Sequence, residues 1–157
     1  MTPTRFPPHG DLRELAHVHA LSFADAWSAP SLGQLLAAPG TIAFTAGTPV
    51  EGFILVRTMR DESEILTLAV APAARRKGLG VGLVREAARW AQANGAATLY
   101  LEVAVSNVSA RTLYAGLGFA KSGMRKGYYR TAEGRLDALV LRVDLPLEAV
   151  GIRGQLD

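Results

Sequence analysis

The sequence predicts an α+β domain built around a single mixed, mostly antiparallel β-sheet. Three features predict it. Two helical patterns precede a group of strand-like segments joined by short turns. One strand, glycine-rich turn, helix and strand follow in the middle, and two long strand-like segments close the chain. Only that one unit crosses over, so one parallel, right-handed pair is expected among otherwise antiparallel strands. With 157 residues, 49% hydrophobic and 20% charged, the chain has the balance of a soluble globular domain with one sizeable core. A single domain is expected over residues 1–157, its core over 11–145 and a weakly patterned tail over 146–157.

The elements follow in order. Asp11 reads as a helix N-cap, with Leu12, Leu15, Val18 and Phe23 on one face of the helix it opens. Ser31-Leu32-Gly33-Gln34 has the capping-box pattern and is expected to open a second helix, ending before Pro39-Gly40. Strands are expected at Thr41 to Ala46, Val50 to Arg60 and Glu64 to Ala71, with turns at Gly47-Thr48-Pro49 and Asp61-Glu62-Ser63. From Leu79 to Asn94, Leu79, Leu83, Ala87, Trp90 and Ala91 recur at helical spacing, and Gly95 stops the helix. Thr98 to Val103 is apolar nearly throughout, as expected of a strand covered on both faces. Ser106 or Asn107 caps a helix reaching Leu117, and Thr131-Ala132-Glu133-Gly134 joins the strands Phe119 to Tyr129 and Leu136 to Leu145.

Composition removes several function classes. The net charge of +3 is too small to argue for nucleic acid by itself. There is no cysteine, hence no disulfide, thiolate nucleophile or cysteine-based metal site, which fits a reducing cytoplasm. Met1 to Gly10 is proline-rich without the apolar stretch of a secretory signal, and no apolar run is long enough to span a bilayer. His9, His17 and His19 lie near the start without metal-ligand spacing and read as surface or satisfied side chains.

The most informative stretch is Arg75-Arg76-Lys77-Gly78-Leu79-Gly80-Val81-Gly82, between a strand and a helix. Glycines allow close backbone approach and unusual dihedrals, and the first N–H groups of a helix lack internal partners, so an anion completes them. One helix terminus contributes only about 0.3–1 kcal/mol per charge, so several amides plus three cations are needed to hold a polyphosphate. A dinucleotide-binding fold is excluded by order: Gly78-x-Gly80-x-Gly82 lacks the spaced third glycine, and no repeated βαβ units follow.

Three further positions can carry chemistry. Strand alternation puts Glu102 opposite Leu99, Leu101 and Val103. A carboxylate in a buried strand either pairs with a nearby arginine or is raised by desolvation into the range of a general base, and the residues leave both readings open. Tyr114, late in its helix, is a core tyrosine or a proton donor facing a leaving group. Tyr128-Tyr129, flanked by Arg125, Lys126 and Arg130, line a pocket or merely favour an exposed strand.

Together these residues resemble a known family. Arg75-Arg76-Lys77-Gly78-Leu79-Gly80 is similar to the Gln/Arg-x-x-Gly-x-Gly/Ala signature of the GNAT N-acetyltransferase superfamily. More closely, the chain resembles the RimI type, the ribosomal-protein-alanine N-acetyltransferases. The likeness runs through Glu64 to Val70, Leu101-Glu102-Val103 with Ser106-Asn107, Leu113-Tyr114 with Gly118-Phe119, and Arg125-x-x-Tyr128-Tyr129 with Asp137-Ala138. Trp27-Ser28 resembles an early tryptophan-serine pair, although Ala26 stands where the family often has proline and the tail after Pro146 has no counterpart.

The resemblance implies a sheet of about seven strands flanked by about four helices, and acetyl-CoA as donor without a metal. It implies that the amides from Arg76 to Gly82 (Arg76, Lys77, Gly78, Leu79, Gly80, Val81 and Gly82), with Arg75 beside them, hold the pyrophosphate. The Leu68-Ala69-Val70 backbone would pair with the pantetheine arm, and Asn107 would lie near that arm. Glu102 corresponds to the general base and Tyr114 to the general acid, while Trp27, Tyr128 and Tyr129 fall in the acceptor site. The implied acceptor is a protein N-terminal amine, an alanine of a ribosomal protein in the cytoplasm, with no direct nucleic-acid or membrane partner. A small amine or lysine side chain as acceptor, and a non-catalytic acyl-CoA-binding regulator, are the alternatives. The chemistry favours the first: a terminal amine with a pKa of ~7.7–8.0 is appreciably neutral near pH 7, whereas a lysine at ~10.4 is not.

Overall fold

The computed structural model describes residues 2–147, so nearly all of the tail expected over 146–157 lies outside the described residues. Seven strands form one sheet: β1 (Thr4–Arg5), β2 (Thr41–Ala46), β3 (Gly52–Met59), β4 (Glu62–Val70), β5 (Thr98–Ala104), β6 (Ala120–Thr131) and β7 (Gly134–Asp144). Among the described residues four α-helices flank it: α1 (Leu12–Ser22), α2 (Ala29–Ala37), α3 (Leu79–Ala93) and α4 (Val108–Gly116). The strand order is β1-β2-β3-β4-β5-β7-β6, so the last hairpin inserts β7 against β5 and leaves β6 at the edge. Every pairing is antiparallel except β4 with β5, which are joined through α3 as the single crossover predicts.

The helix ends follow local chemistry. Asp11 caps α1 by accepting the Arg13 N–H at 2.9 Å. The cap of α2 is Ser28, not Ser31 as the sequence pattern suggested. Ser28 Oγ accepts the Ser31 N–H at 3.2 Å, and Pro30 fits the first turn because no N–H is required there. Asn107 caps α4 through Oδ1 on the Ala110 N–H at 3.2 Å. Gly95, with φ at 98°, ends α3 in the left-handed conformation open to glycine.

The sheet is covered unequally. On one face α3 and α4 bury a core containing Ile54, Val56, Leu83, Ala87, Leu99, Leu101 and Phe119. On the other, α1 and α2 bury Leu15, Val18, Leu32, Phe53, Leu55 and Ala69, over β2, β3 and β4. β5 is therefore not buried on both faces as its apolar run suggested. Leu99, Leu101 and Val103 are buried, whereas Thr98, Tyr100, Glu102 and Ala104 are only half-buried on the face that α1 and α2 leave uncovered. Leu147, in the first residues of the expected tail, packs on the α3 core. β1 was not foreseen, since two residues carry no periodicity. The turn between β3 and β4 is Arg60-Asp61, tighter than expected, with Arg60 at φ 58°.

His19 joins the first two helices to the sheet. It is 2% exposed, stacked between Phe23 and Trp27 with ring centroids 4.4 and 4.9 Å away. Its Nδ1 accepts the Trp27 N–H at 3.1 Å, so the proton sits on Nε2, 3.1 Å from Thr67 Oγ1 on β4. Burial lowers its pKa from 6.5 to about 4. The unfolded chain therefore takes up this proton before the folded one does. The stability contributed by neutral His19 is complete above pH 6.5 and is lost as the pH falls toward 4. The loss is on the order of 3 kcal/mol. Urea midpoints measured across that window should fall for the wild type more steeply than for a His19→Gln variant. Parallel profiles would show that His19 does not set the acid limit.

Candidate active site

The site begins where two strands part. β4 and β5 pair only from Glu62↔Thr98 to Ile65↔Leu101, yet β4 runs on to Val70 and β5 to Ala104. Beyond Ile65 the side of β4 that faces β5 has no strand against it. The phase of its backbone groups follows from one bond, the Ala71 N–H to Glu51 O at 2.8 Å. Antiparallel bonding alternates, so Ala69 and Thr67 bond to Phe53 and Leu55. Leu68 and Val70 then turn their N–H and C=O toward the gap, and Ala69 serves only as the spacer between them. The Val70 carbonyl accepts Arg75 Nε at 3.1 Å and lies 3.2 Å from Ser22 Oγ, which leaves the Val70 N–H facing the opening.

The chain leaves β4 through a tight turn at Pro72–Ala74 and enters α3 through Arg75-Arg76-Lys77-Gly78. Arg76 and Gly78 both adopt left-handed φ, 65° and 79°, around Lys77. Alternating conformations of this kind gather successive N–H groups into a concave cradle for an anion. Among the described residues, no hydrogen bond occupies the backbone N–H of residues 76 to 81. Gly82 differs from expectation: its N–H already donates to Gly78 O at 3.0 Å, so the amide series ends at Val81. At Gly80 a Cβ would meet Leu113 Cδ1 at 2.8 Å, so glycine leaves that side chain in place where α3 approaches α4. A Cβ at Gly78 would meet nothing within 4 Å, so that side of the turn faces open space. Arg75, Arg76 and Lys77 are all exposed around the cradle.

Glu102 is the first residue of β5 past the last parallel pair. Its side chain, 15% exposed, forms an ion pair from Oε1 to Arg125 Nε at 3.1 Å, while the buried Oε2 has no hydrogen-bond partner among the described residues. The paired reading of this carboxylate is thus realised at Oε1, while Oε2 is left without a partner. Trp27, Glu102, Arg125, Tyr128 and Tyr129 line a single cleft of about 760 Å³ on the uncovered face of the sheet. Its floor carries a second ion pair, Arg57 Nη2 to Glu64 Oε1 at 3.0 Å. Three sequence-predicted acceptor residues therefore meet the predicted base in one cleft. The Glu102 charge is the main cause that raises the Tyr128 hydroxyl, and burial, then that same charge, pushes Tyr129 up to about 12.

Tyr114 stands apart from this cleft. It is buried in the α3–α4 core with its ring edge-on to Phe119 at 5.4 Å. Burial first, and the neighbouring Tyr129 second, raise its hydroxyl, so the phenol keeps its proton throughout the neutral range. Asn107 is exposed at the start of α4 and spends Oδ1 on its cap. Sequence reasoning missed Arg125, Arg57 and Glu64 as cleft-lining charges, because cross-strand ion pairs depend on register. A signal existed for Arg125, which flanks the tyrosines in sequence. Among the described residues, no three His, Asp or Glu side chains gather as a metal site.

Comparison with known proteins identifies the family of this chain. The acetyltransferase (GNAT) family model matches residues 8–119. The ribosomal protein bS18-alanine N-acetyltransferase of Escherichia coli K12 is 30% identical over 141 residues, covering 87% of this chain and 93% of that one. The N-alpha-acetyltransferase RimI of Mycobacterium tuberculosis is 32% identical over 142 residues, 85% of this chain and 87% of that one. The crystal structure of the Escherichia coli ribosomal-protein-S18-alanine N-acetyltransferase superposes with a TM-score of 0.83 at 29% identity, covering 94% and 95% of the two chains. A family model over most of the chain and relatives of 30% identity or more place it plainly: the chain belongs to the GNAT acetyltransferase family.

Proposed function

We propose that this acetyltransferase moves the acetyl group of acetyl-CoA to the N-terminal amine of a protein beginning with alanine, a ribosomal protein of the bS18 kind. The observation that carries the reading is the place of Glu102. It stands at the fork, with the open edge of β4 on one side and the cleft of Trp27, Tyr128 and Tyr129 on the other. The activities for which the bacterial relatives are named support the same acceptor. An acceptor of that class is met in the cytoplasm.

The residues fit acetyl-CoA. Six free amides from Arg76 to Val81, ringed by Arg75, Arg76 and Lys77, suit its diphosphate, and the outward groups of Leu68 and Val70 suit an amide-bearing arm laid along β4. The Val70 N–H is placed to polarise a carbonyl in the fork. Asn107, at the mouth of α4, has its Nδ2 available to the same arm. Acetyl-CoA supplies an acyl group on a good leaving thiol.

What the protein adds is proton handling and position. The incoming amine attacks as the neutral base, forming the C–N bond as the C–S bond breaks. Glu102 Oε2 takes the amine proton, directly or through a water. As the C–S bond lengthens, Tyr114 gives its proton to the departing sulfur, and the proton taken by Glu102 returns through solvent to the phenolate. Acid–base help of this kind is worth ~10²–10⁴-fold. Orienting amine and thioester is worth roughly 7–11 kcal/mol in favourable cases, so placement outweighs proton transfer.

Two tests follow. Thiol release from acetyl-CoA should be fast with a peptide starting at alanine and slow with an N-terminally blocked peptide carrying lysine. Glu102→Gln should lower kcat on the first by ~10²–10⁴-fold with little change in acetyl-CoA affinity. Preference for the blocked lysine peptide would overturn the acceptor, and unchanged turnover would remove Glu102 from the chemistry. For the cradle, Gly78 can be replaced by residues that tolerate left-handed φ. Gly78→Asp should weaken acetyl-CoA binding by about tenfold or more in calorimetry, while the neutral Gly78→Asn stays near wild type. Equal affinity in both variants would mean that no anion sits there.

A further inference from the structure

The tyrosines of the cleft sit on an irregular piece of β6. Arg125 pairs with Ala138 and Tyr129 with Leu136, so Lys126, Gly127 and Tyr128 all stand opposite the single residue Asp137. Two surplus residues in a strand cost ladder bonds and need another anchor. Asp137 provides it. Its Oδ1 accepts the Gly127 N–H at 2.9 Å, while its own carbonyl accepts the Val105 N–H at 3.0 Å from the segment between β5 and α4. Arg135 Nη1 donates to Gly127 O at 3.0 Å and closes the other side. Gly127, at φ 61°, takes the backbone shape this needs.

The surplus is even in number, so strand parity is kept. Glu102 pairs with Val140, Arg125 with Ala138 and Tyr129 with Leu136, all on one face of the sheet. The Arg125 guanidinium reaches Glu102 and lies 5.5 Å from the centre of the Tyr128 ring, which meets Tyr129 edge-on at 5.0 Å. We propose that Asp137 is a positioning residue for acceptor recognition: with Arg135 it staples the β6 bulge at Gly127, and the staple aims Arg125, Tyr128 and Tyr129 into the cleft around Glu102. Asp137 touches neither substrate, and the proposal rests on the reading of this cleft as the acceptor site.

The test uses steady-state kinetics with acetyl-CoA and the alanine-starting peptide, together with amide hydrogen exchange at Gly127. Asp137→Ala should raise the peptide KM about tenfold and speed exchange at Gly127, with the acetyl-CoA KM unchanged within about twofold. Asp137→Asn keeps the accepting oxygen and should restore both readouts. Arg135→Ala, at an exposed position, should raise the peptide KM roughly threefold in a chain that folds normally. Faster Gly127 exchange with an unchanged peptide KM would overturn the proposal. So would an equal rise in both KM values, or an asparagine variant as impaired as the alanine one. If the wild type acetylates no peptide amine although Gly127 is protected, the acceptor reading itself has failed, and the proposal falls with it.

Discussion

The parting of β4 from β5 after Ile65↔Leu101 is the constraint on which the rest of this molecule depends. β5 is bonded along its whole length to β7, from Thr98↔Asp144 to Ala104↔Ala138, and follows that partner away from β4. Backbone groups of a strand are obligatory donors and acceptors, so an unpaired stretch in mid-sheet is a site for another extended chain. Leu68 and Val70 offer that edge, the amides of residues 76 to 81 lie at its far end, and Glu102 stands at the vertex. One topological event thus sets three parts of the site in line.

The helices divide the labour between the two faces. α3 and α4 seal one face of the sheet and bury Tyr114, while α1 and α2 cover the other only in part and leave the cleft between α2 and strands β3 to β6. That cleft carries paired charges among an apolar lining: Arg57 with Glu64, and Arg125 with Glu102. Pairing a part-buried carboxylate limits its desolvation cost, and Arg125 occupies only one of its two oxygens. His19 ties the wall that carries Trp27 to Thr67 on β4, so the cleft and the fork share one buried hydrogen-bonded link.

Much of this was legible from residue order. The single crossover, the stop of α3 at Gly95 and the glycine-rich entry to α3 depend on local rules of periodicity and backbone freedom, and the structure follows them. The face chosen by Glu102 came from alternation alone. The failures are tertiary in origin. Apolar β5 looked covered twice because Tyr100 counts as apolar, although it is half-buried and lines an opening beside Glu102. Ser31 matched a capping pattern, but Ser28 wins because Pro30 suits the first turn. The bulge at Gly127 and its anchor Asp137 are ten residues apart across a hairpin, a relation that no short window contains. Asp137-Ala138 was visible as a motif without a role, and the register supplied one.

The claim that the fork receives the coenzyme is tested most directly by amide hydrogen exchange with and without acetyl-CoA. The N–H groups of Leu68, Val70 and residues 76 to 81 should become protected on binding. Those of Ala69 and Phe53, already bonded within the sheet, should not change. Protection confined to other segments, with Val70 exchanging as before, would contradict the account.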